Sequence, residues 1–330
     1  MLKKKTFYPL MLLIGTVFML ACPAEAQIPK KIKTIIVDAG HGGSDVGAHG
    51  NYEGSIGSYE KNITLAISLK LIEELKRTLP NVKIVPTRTS DITQSVREKA
   101  RIANENKGDL FICIHADAVN LKTGSRITGY RTENYTTTKY SGKGKRKKKI
   151  VTHHTREVAI KEYFKIPTTR KGTSTWIFAA HKTEAKIKAM EDSEMILSTE
   201  HEDSSLDLNY NSPEYRANAL LYTQNYFKKS YKMASQIQEE VGNAGRPDLG
   251  IFQRQVGIHV LQATQMPAVL IETGFISNPD DERYLNSESG QKELAGIIAK
   301  AIKSYKDQLE NPKPQGTTSV DPNSAPLASS

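Results

Sequence analysis

The chain is poor in the residues that would mark it as fibrous, disordered or disulfide-linked. Its 330 residues include only 2 Cys, 14 Pro and 22 Gly, whereas hydrophobic residues make up 38% and charged residues 25%. This composition excludes collagen, wholesale disorder and a disulfide framework, and two Cys cannot build a Cys-rich metal site. The sequence also has no internal repeat. What remains is a globular protein with one large domain or two small ones.

The amino terminus has the pattern of an export signal. A short basic start precedes an apolar stretch, Phe7–Ala21, and Ala24–Ala26 fits the small-x-small cleavage pattern. We predict a secretory signal peptide over residues 1–26. The apolar stretch is short for a membrane span, although an uncleaved anchor is an alternative. A second alternative is lipoprotein processing at Cys22, and only in that case do we expect membrane anchoring.

Strand patterns alternate with amphipathic helices along most of the chain. The predicted strands are short apolar runs: Thr34–Asp38, Lys83–Val85, Leu110–Ile114 and Ala268–Ile271. We expect Asn62 to cap the helix between the first two strands. The β-α-β-α-β order predicts an α/β fold, with a mostly parallel central sheet and helices on both faces.

A long segment separates the third and fourth predicted strands. We interpret residues 121–246 as one large insertion before the last core strand, within a single domain over residues 30–310. The insertion contains an acidic run, Glu191–Asp203, and the pattern of a long helix, Pro213–Val241. Residues 311–330 are rich in Pro, Ser and Thr, which predicts a disordered tail.

Four residues suited to metal binding or proton transfer lie where predicted parallel strands end. His41 follows the first strand, Glu60 lies at the start of the next helix, and His115 and Glu272 end the third and fourth strands. The carboxyl ends of parallel strands meet at one edge, so these side chains should converge. Two His and one Glu suit a catalytic zinc, and a second carboxylate can transfer protons. The pattern fits zinc-assisted amide hydrolysis, although hydrogen-bonded core histidines and a glutamate paired with an arginine would leave the same pattern.

Six motifs in order resemble the zinc-dependent N-acetylmuramoyl-L-alanine amidases of the division-associated periplasmic type, the amidase_3 family. They are Val37–Gly43, Glu60–Asn62, Thr87–Arg88, Arg101–Asn104, Leu110–Asp117 and Met266–Asn278. This resemblance implies hydrolysis of the amide between the lactyl group of N-acetylmuramic acid and the first L-alanine of the peptidoglycan stem peptide. It places the zinc ligands on His41, Glu60 and His115, and the catalytic glutamate on Glu272.

Other positions near these motifs carry weaker expectations. Asp38 and Asp117 lie close to the ligands in sequence, where a carboxylate can orient an imidazole. A hydrogen bond that stabilises a loop is the alternative role for each. Thr273 replaces a Leu that is more frequent in the family, and Ser174 stands where a Glu is common, which puts the role of that Glu in doubt.

The resemblance also implies regulation. In division-associated relatives, the insertion carries a helix that covers the zinc cleft until an activator protein displaces it, and an acidic side chain can occupy the open position of the metal. The equivalent segment here is about 183–204, with Glu191 or Asp192 as the candidate ligand. The alternative is that this acidic stretch is a solvated helix face.

The sequence therefore predicts a periplasmic zinc amidase that acts on peptidoglycan in daughter-cell separation and wall turnover, autoinhibited and opened by an activator of the division machinery. The alternatives are a non-catalytic peptidoglycan-binding scaffold and an amidase that cuts within the stem peptide. The basic run Lys143–Lys149 predicts a flexible loop. Export disfavours nucleic acid as its partner, and leaves wall polymers, peptidoglycan carboxylates and a membrane surface open.

Overall fold

A computed structural model describes four stretches of the chain, residues 31–179, 183–191, 213–254 and 259–311. Three of the predicted features lie outside these stretches. They are the signal peptide with Cys22, residues 192–204 of the candidate regulatory segment with Asp192, and residues 312–330 of the tail. The described residues between Ile32 and Lys306 belong to one compact unit. Within the described stretches, no helix combines the length and the hydropathy that crossing a membrane requires.

The described part of the chain contains eight strands in two separate sheets. In chain order they are β1 (Thr34–Ala39), β2 (Lys83–Pro86), β3 (Leu110–Asp117), β4 (Thr123–Ser141), β5 (Lys148–Lys165), β6 (Thr173–Phe178), β7 (Asp248–Arg254) and β8 (Ala268–Phe275). The central sheet has the order β2-β1-β3-β8-β6-β7, and β4 pairs only with β5.

Among the residues that the structure describes, seven α-helices accompany the strands, with one short 3-10 turn at Gly144–Arg146. In chain order they are α1 (Glu60–Thr78), α2 (Val96–Glu105), α3 (Thr183–Glu191), α4 (Pro213–Asn243), α5 (His259–Ala263), α6 (Pro279–Asn286) and α7 (Glu288–Glu310).

The central sheet is mostly parallel. β1 pairs in parallel with β2 and β3, β3 with β8, and β6 with β7, whereas β6 runs antiparallel to β8. Among its inner strands, β1 and β8 are buried along their whole length, and β3 is buried from Leu110 to Ile114. The predicted α/β fold is therefore confirmed.

The 121–246 range is not wholly an insertion. It supplies β6, which lies inside the central sheet between β8 and β7. This strand is hard to see in the sequence, because its buried first half is polar, Thr173–Thr175, and lacks the apolar run of the other strands. The part of the range that stands apart from the central sheet is the β4–β5 hairpin.

Helix α1 starts three residues earlier than predicted, because its N-cap is residue 59 and not residue 62. Its N-cap residue is Tyr59, which makes no side-chain capping bond, and Asn62 lies inside the first turn. Glu60 is therefore the first helical residue, where the positive end of the helix dipole favours a carboxylate. The buried face of α1, which includes Ile63 and Leu71, fixes this helix start beside the carboxyl ends of the strands.

Candidate metal centre

The three predicted metal ligands converge at the carboxyl edge of the sheet. One candidate ligand atom from each of His41, Glu60 and His115 lies within 4.8 Å of the other two. His41 Nε2 is 3.0 Å from Glu60 Oε2, and His115 Nδ1 is 2.8 Å from Glu60 Oε1. Two imidazole nitrogens and one carboxylate oxygen pointing at one place are the donor set that zinc prefers. The residues present therefore fit a zinc ion.

The backbone around His41 makes this convergence possible. His41 and Gly43 adopt left-handed conformations, with φ of 59° and 58°. This turn directs the imidazole back towards α1. Gly40 is needed for a different reason, because a Cβ atom there would lie 2.6 Å from the ring of His115. The glycines of the motif thus allow the two imidazoles to approach each other, with ring centroids 4.9 Å apart.

Glu60 is held in its charged form. It is almost fully buried, and its carboxylate accepts hydrogen bonds from the backbone N–H groups of Ala48 and Ala116, at 2.7 and 3.0 Å. Burial would raise the pKa of Glu60, but hydrogen bonds with His115 and His41 hold the pKa well below its usual range. A bound cation would take the place of these imidazole contacts and favour the same carboxylate.

Asp45 is a site residue that the sequence reasoning missed. Its Oδ2 lies 2.8 Å from His41 Nδ1, the ring nitrogen that does not face Glu60. Burial would lower the pKa of His41, but Glu60 and Asp45 together raise it. A carboxylate on the second nitrogen fixes the tautomer and the orientation of a metal-ligating imidazole. The available signal was its position four residues after His41 in the same Gly-rich loop.

Asp38 has its hydrogen-bond and ion-pair partners in the core. Its buried carboxylate accepts hydrogen bonds from Thr87 Oγ1 at 2.6 Å and Cys113 Sγ at 2.9 Å, and lies 3.1 Å from Lys99 Nζ. Burial would raise the pKa of Asp38, but Lys99 and these hydrogen bonds lower it. Lys99 Nζ also donates to Ala39 O at 2.7 Å, so the ion pair of Lys99 with Asp38 fixes the end of β1 from its buried side. β1 directs residue 38 into the core, and a role of Asp38 in orienting an imidazole stays a prediction.

Asp117 makes a loop hydrogen bond of the kind offered as its alternative role. Its Oδ1 accepts from the backbone N–H of Ala118 at 2.8 Å. Its backbone carbonyl accepts from Ile276 N at 2.8 Å, which ties the ends of β3 and β8 together.

Arg88 clamps the two segments that carry ligands. Its buried guanidinium donates through Nη2 to Gly40 O and Lys61 O, both at 2.9 Å, and through Nε to Ala39 O at 3.1 Å. The planar, five-donor guanidinium is suited to joining several carbonyls at once. The Thr87–Arg88 motif therefore positions the His41 loop against the start of α1.

Glu272 lies beside the ligands. It is the register partner of His115 on the neighbouring parallel strand, and it is 6% exposed. Paired residues on adjacent strands share one face of a sheet, so its carboxylate faces the same cleft as the imidazole. On its other side, Glu272 pairs with Ser174 of β6. The serine that departs from the family pattern is thus an immediate neighbour of the candidate catalytic glutamate.

The candidate regulatory segment begins at the end of β8 that is opposite to the candidate metal ligands. Lys186 of α3 donates to Leu261 O at 2.7 Å and to Thr264 O at 2.8 Å, just before β8 begins. Glu272 lies in the second half of β8. Glu191 is the last residue of α3, and Asp192 lies outside the described residues. A zinc-blocking role for either residue stays a prediction.

The fold and the site together have the features of a metal-assisted hydrolase: a His–Glu–His donor set with a buried carboxylate next to it. A family model described as N-acetylmuramoyl-L-alanine amidase matches residues 35–304. The chain belongs to this amidase family.

Three relatives illustrate the match. The uncharacterized protein YqiI of Bacillus subtilis is 26% identical over 297 residues, which are 90% of this chain and 96% of that protein. N-acetylmuramoyl-L-alanine amidase AmiC of Escherichia coli O6:H1 is 27% identical over 86% of this chain and 55% of its own length. The chain thus spans about half of the latter relative. A crystal structure of the amidase from Clostridium difficile 630 shares the fold, with a TM-score of 0.51, 22% identity, and coverage of 84% of this chain and 98% of that one.

Proposed function

We propose that the protein is a zinc-dependent hydrolase of peptidoglycan that cuts the amide between the lactyl group of N-acetylmuramic acid and L-alanine. The observation that carries this proposal is the convergence of His41, Glu60 and His115 within 4.8 Å, beside Glu272, in a chain that belongs to the amidase family. The name of the Escherichia coli relative supports the same activity.

Each site residue has a defined task in this reaction. Zinc, when held by His41, Glu60 and His115, supplies Lewis-acid activation of the water and of the scissile carbonyl. Glu272 accepts a proton from the attacking water while the oxygen of that water bonds to the carbonyl carbon. When the carbon–nitrogen bond breaks, Glu272 gives this proton to the nitrogen. The products are a lactyl carboxylate and a stem peptide with a free alanine amine.

The decisive experiment is digestion of purified peptidoglycan by the zinc-loaded protein and by Glu272→Gln. We expect the unchanged protein to release intact stem peptides and a chelator to abolish release. The variant should keep its zinc and lose roughly 10²- to 10⁴-fold in rate, the usual share of general acid–base catalysis. Glu105→Gln is a matched control, because Glu105 is an exposed glutamate of α2.

Three results would revise the proposal. Unchanged turnover in Glu272→Gln would refute its role in proton transfer. Shortened peptides in place of intact stems would indicate cleavage within the stem. Peptidoglycan binding without any hydrolysis, in zinc-loaded protein, would support the scaffold alternative.

Export to the periplasm, a role in daughter-cell separation and activation by a division protein belong to the same proposal. They are supported by the predicted signal at residues 1–26 and by the resemblance to division-associated relatives. Fractionation of cells that express the full chain tests the export, with lipid labelling at Cys22 as the test for an anchor.

The proposed autoinhibition calls for a test that leaves α3 in place. Lys186 is buried and attaches α3 to the residues before β8, so deleting 183–204 would also disturb the fold. We therefore choose the double change Glu191→Ala and Asp192→Ala, with Glu184→Ala at the exposed start of α3 as control. A rise in basal hydrolysis in the double variant alone would support a zinc-blocking carboxylate. Equal rates in all three proteins would remove this regulation.

A further inference from the structure

The β4–β5 hairpin is a long exposed arm. Its two strands pair from Thr123 with Lys165 at the base to Ser141 with Lys148 at the tip. Strands of 19 and 18 residues extend for roughly 60 Å at the usual rise per residue. In the distal half, residues 134–155, every residue except the half-buried His154 is exposed. Such an arm contributes little to the core and needs another explanation.

Nearly all of the net charge of the protein lies in this arm. Between residues 123 and 165 there are twelve Lys and Arg but three Asp and Glu, a net of +9, whereas the whole chain has a formal charge of +10. The remainder of the chain is therefore almost neutral. A field concentrated in one projecting element attracts anions to that element.

The two halves of the arm differ in how this charge is compensated. In the half that includes the base, Arg126 pairs with Glu53 and Glu162. At the middle of the arm, Glu133 pairs with Arg131 and Arg156. The distal half has seven basic residues and no acidic one. None of these seven forms a salt bridge with any residue that the structure describes; they are Lys139, Lys143, Lys145, Arg146, Lys147, Lys148 and Lys149. The uncompensated charge is thus confined to the outer half.

The distribution of side chains favours a polymer over a flat membrane. In an antiparallel pair, partners share a face and neighbours along the strand alternate. Tyr140 therefore shares one face with Lys149, and Ile150 shares the other with Lys139. Apolar and basic side chains occur on both faces, so the arm has no single apolar face to insert into a bilayer. Charge on all sides suits strands of an anionic network that surround the arm.

The arm rises from the catalytic edge of the sheet. β4 starts shortly after His115, and at the base Glu53 N donates to Lys165 O at 3.2 Å. Glu53 belongs to the same loop that carries His41 and ends at Glu60. A polymer bound along the arm is therefore attached to the edge of the sheet that carries the candidate metal centre.

We propose that the distal half of this arm docks the protein onto peptidoglycan through the carboxylates of the stem peptides. This inference rests on the proposed function, which makes that polymer the substrate. One surface ion pair contributes little, but seven basic groups on one arm bind a repeating polyanion together. The arm raises the local substrate concentration and takes no part in the bond cleavage.

The test compares two arm variants in two assays. The first variant changes the six basic residues of Lys143–Lys149 to Gln. The second replaces residues 134–155 with Asn-Gly, since Glu133 and Arg156 are paired and a two-residue turn can join them. The control changes six exposed basic residues elsewhere to Gln: Lys76, Lys83, Arg97, Arg101, Lys292 and Lys303.

The binding assay is co-sedimentation with peptidoglycan freed of protein and other wall polymers, with Glu272→Gln in every protein to prevent digestion. We expect the control to bind like the unchanged arm, and both arm variants to bind at least about tenfold more weakly. Binding should fall as NaCl rises, because salt screens exposed charges. Converting the stem carboxylates to amides should abolish it.

The activity assay uses the same surface changes with Glu272 intact. Arm variants should lose rate on intact peptidoglycan and keep full rate on a soluble muramoyl-peptide. Equal binding by the arm variants, or binding that survives amidation, would overturn the docking proposal. Tighter binding of the arm to anionic lipid vesicles or to DNA than to peptidoglycan would overturn it too and assign a phosphate-bearing partner. Absence of soluble-fragment turnover both in the unchanged protein and in the double variant Glu191→Ala and Asp192→Ala, with arm-dependent sedimentation intact, would refute the proposed reaction and leave the docking standing.

Discussion

Two buried charges, Glu60 and Lys186, are held in opposite ways. Glu60 lies at the carboxyl edge of the sheet between two imidazoles, 3.0 and 2.8 Å away. Lys186 lies near the start of β8, where its ammonium donates to carbonyl oxygens of Leu261 and Thr264. Both are almost fully buried. Glu60 is therefore surrounded by imidazoles that can bind zinc together with it, and Lys186 by backbone carbonyls that accept hydrogen bonds from its ammonium.

The pKa of each group is lowered, which favours the charged form of Glu60 but the neutral form of Lys186. For Glu60 the low pKa reflects stabilisation of the charged form by His115 and His41, which outweighs burial. For Lys186, burial lowers the pKa to about 7, which means that the charged form is destabilised. Lys186 also lines an apolar cavity of about 190 Å³, together with Phe178, Tyr226 and other side chains. A perturbed pKa indicates a reactive site only when its neighbours supply chemistry.

The largest effect is expected from Glu60→Gln. The change removes the central ligand charge, so zinc affinity should fall by more than the roughly 100-fold that loss of an outer hydrogen-bond partner costs. Zinc measured by atomic emission after dialysis should be at background, and hydrolysis should be lost with it. Glu74→Gln on the same helix is the control and should keep both. Full zinc content in Glu60→Gln would show that the donor set lies elsewhere.

The next largest effect is expected at Lys186, and it concerns the pH dependence of folding stability and not metal binding. The unfolded chain binds a proton there with the ordinary pKa of 10.5, whereas the folded chain does so only near pH 7. Between these values unfolding takes up a proton, so the folded state loses stability as pH falls from about 10 towards 7, by a few kcal/mol in all.

Urea unfolding of the unchanged protein and of Lys186→Met, at a series of pH values between 7 and 10, measures this effect. The Met variant has no group to titrate and should lack this part of the slope. Lys188→Met, an exposed position on the same helix, should behave like the unchanged protein. Parallel slopes for the unchanged protein and Lys186→Met would show that Lys186 keeps its ordinary pKa when folded.

Asp45→Asn should have a smaller effect, confined to the metal edge. Asp45 lies 2.8 Å from His41 Nδ1, and loss of such a partner usually costs 10- to 100-fold in metal affinity. The rate at saturating zinc should change less than the zinc concentration needed to reach half of it. Asp109→Asn is the control, since Asp109 accepts from Lys33 N and Thr34 N at the other end of β1. Unchanged zinc affinity in Asp45→Asn would mean that backbone geometry alone orients His41.

The sequence could predict features that depend on neighbouring residues, but not contacts between residues that are far apart in the chain. The strands β1, β3 and β8 and the ligands at their ends were visible, because apolar runs and chemistry-bearing residues are local signals. The partners of Asp38 could not be predicted, because Thr87, Lys99 and Cys113 are brought together only by the fold. The basic run of the arm was visible, but its meaning depended on the pairing of β4 with β5, which places uncompensated charge on both faces.

The smallest effect is expected at the rings that face Lys186. Its ammonium lies 6.0 Å from the ring centroid of Tyr226, a distance at which the ring face stabilises a cation by about 0.5–1 kcal/mol. Tyr226→Leu should therefore lower the pKa of folded Lys186 further, and the loss of stability should continue to lower pH by less than about 1 pH unit. Tyr226→Phe keeps the ring face and should leave the profile unchanged, which separates the ring from the hydroxyl. If Tyr226→Leu and Tyr226→Phe give the same profile as the unchanged protein, the carbonyl hydrogen bonds alone hold the ammonium, and the contrast with the imidazole-bound Glu60 becomes sharper.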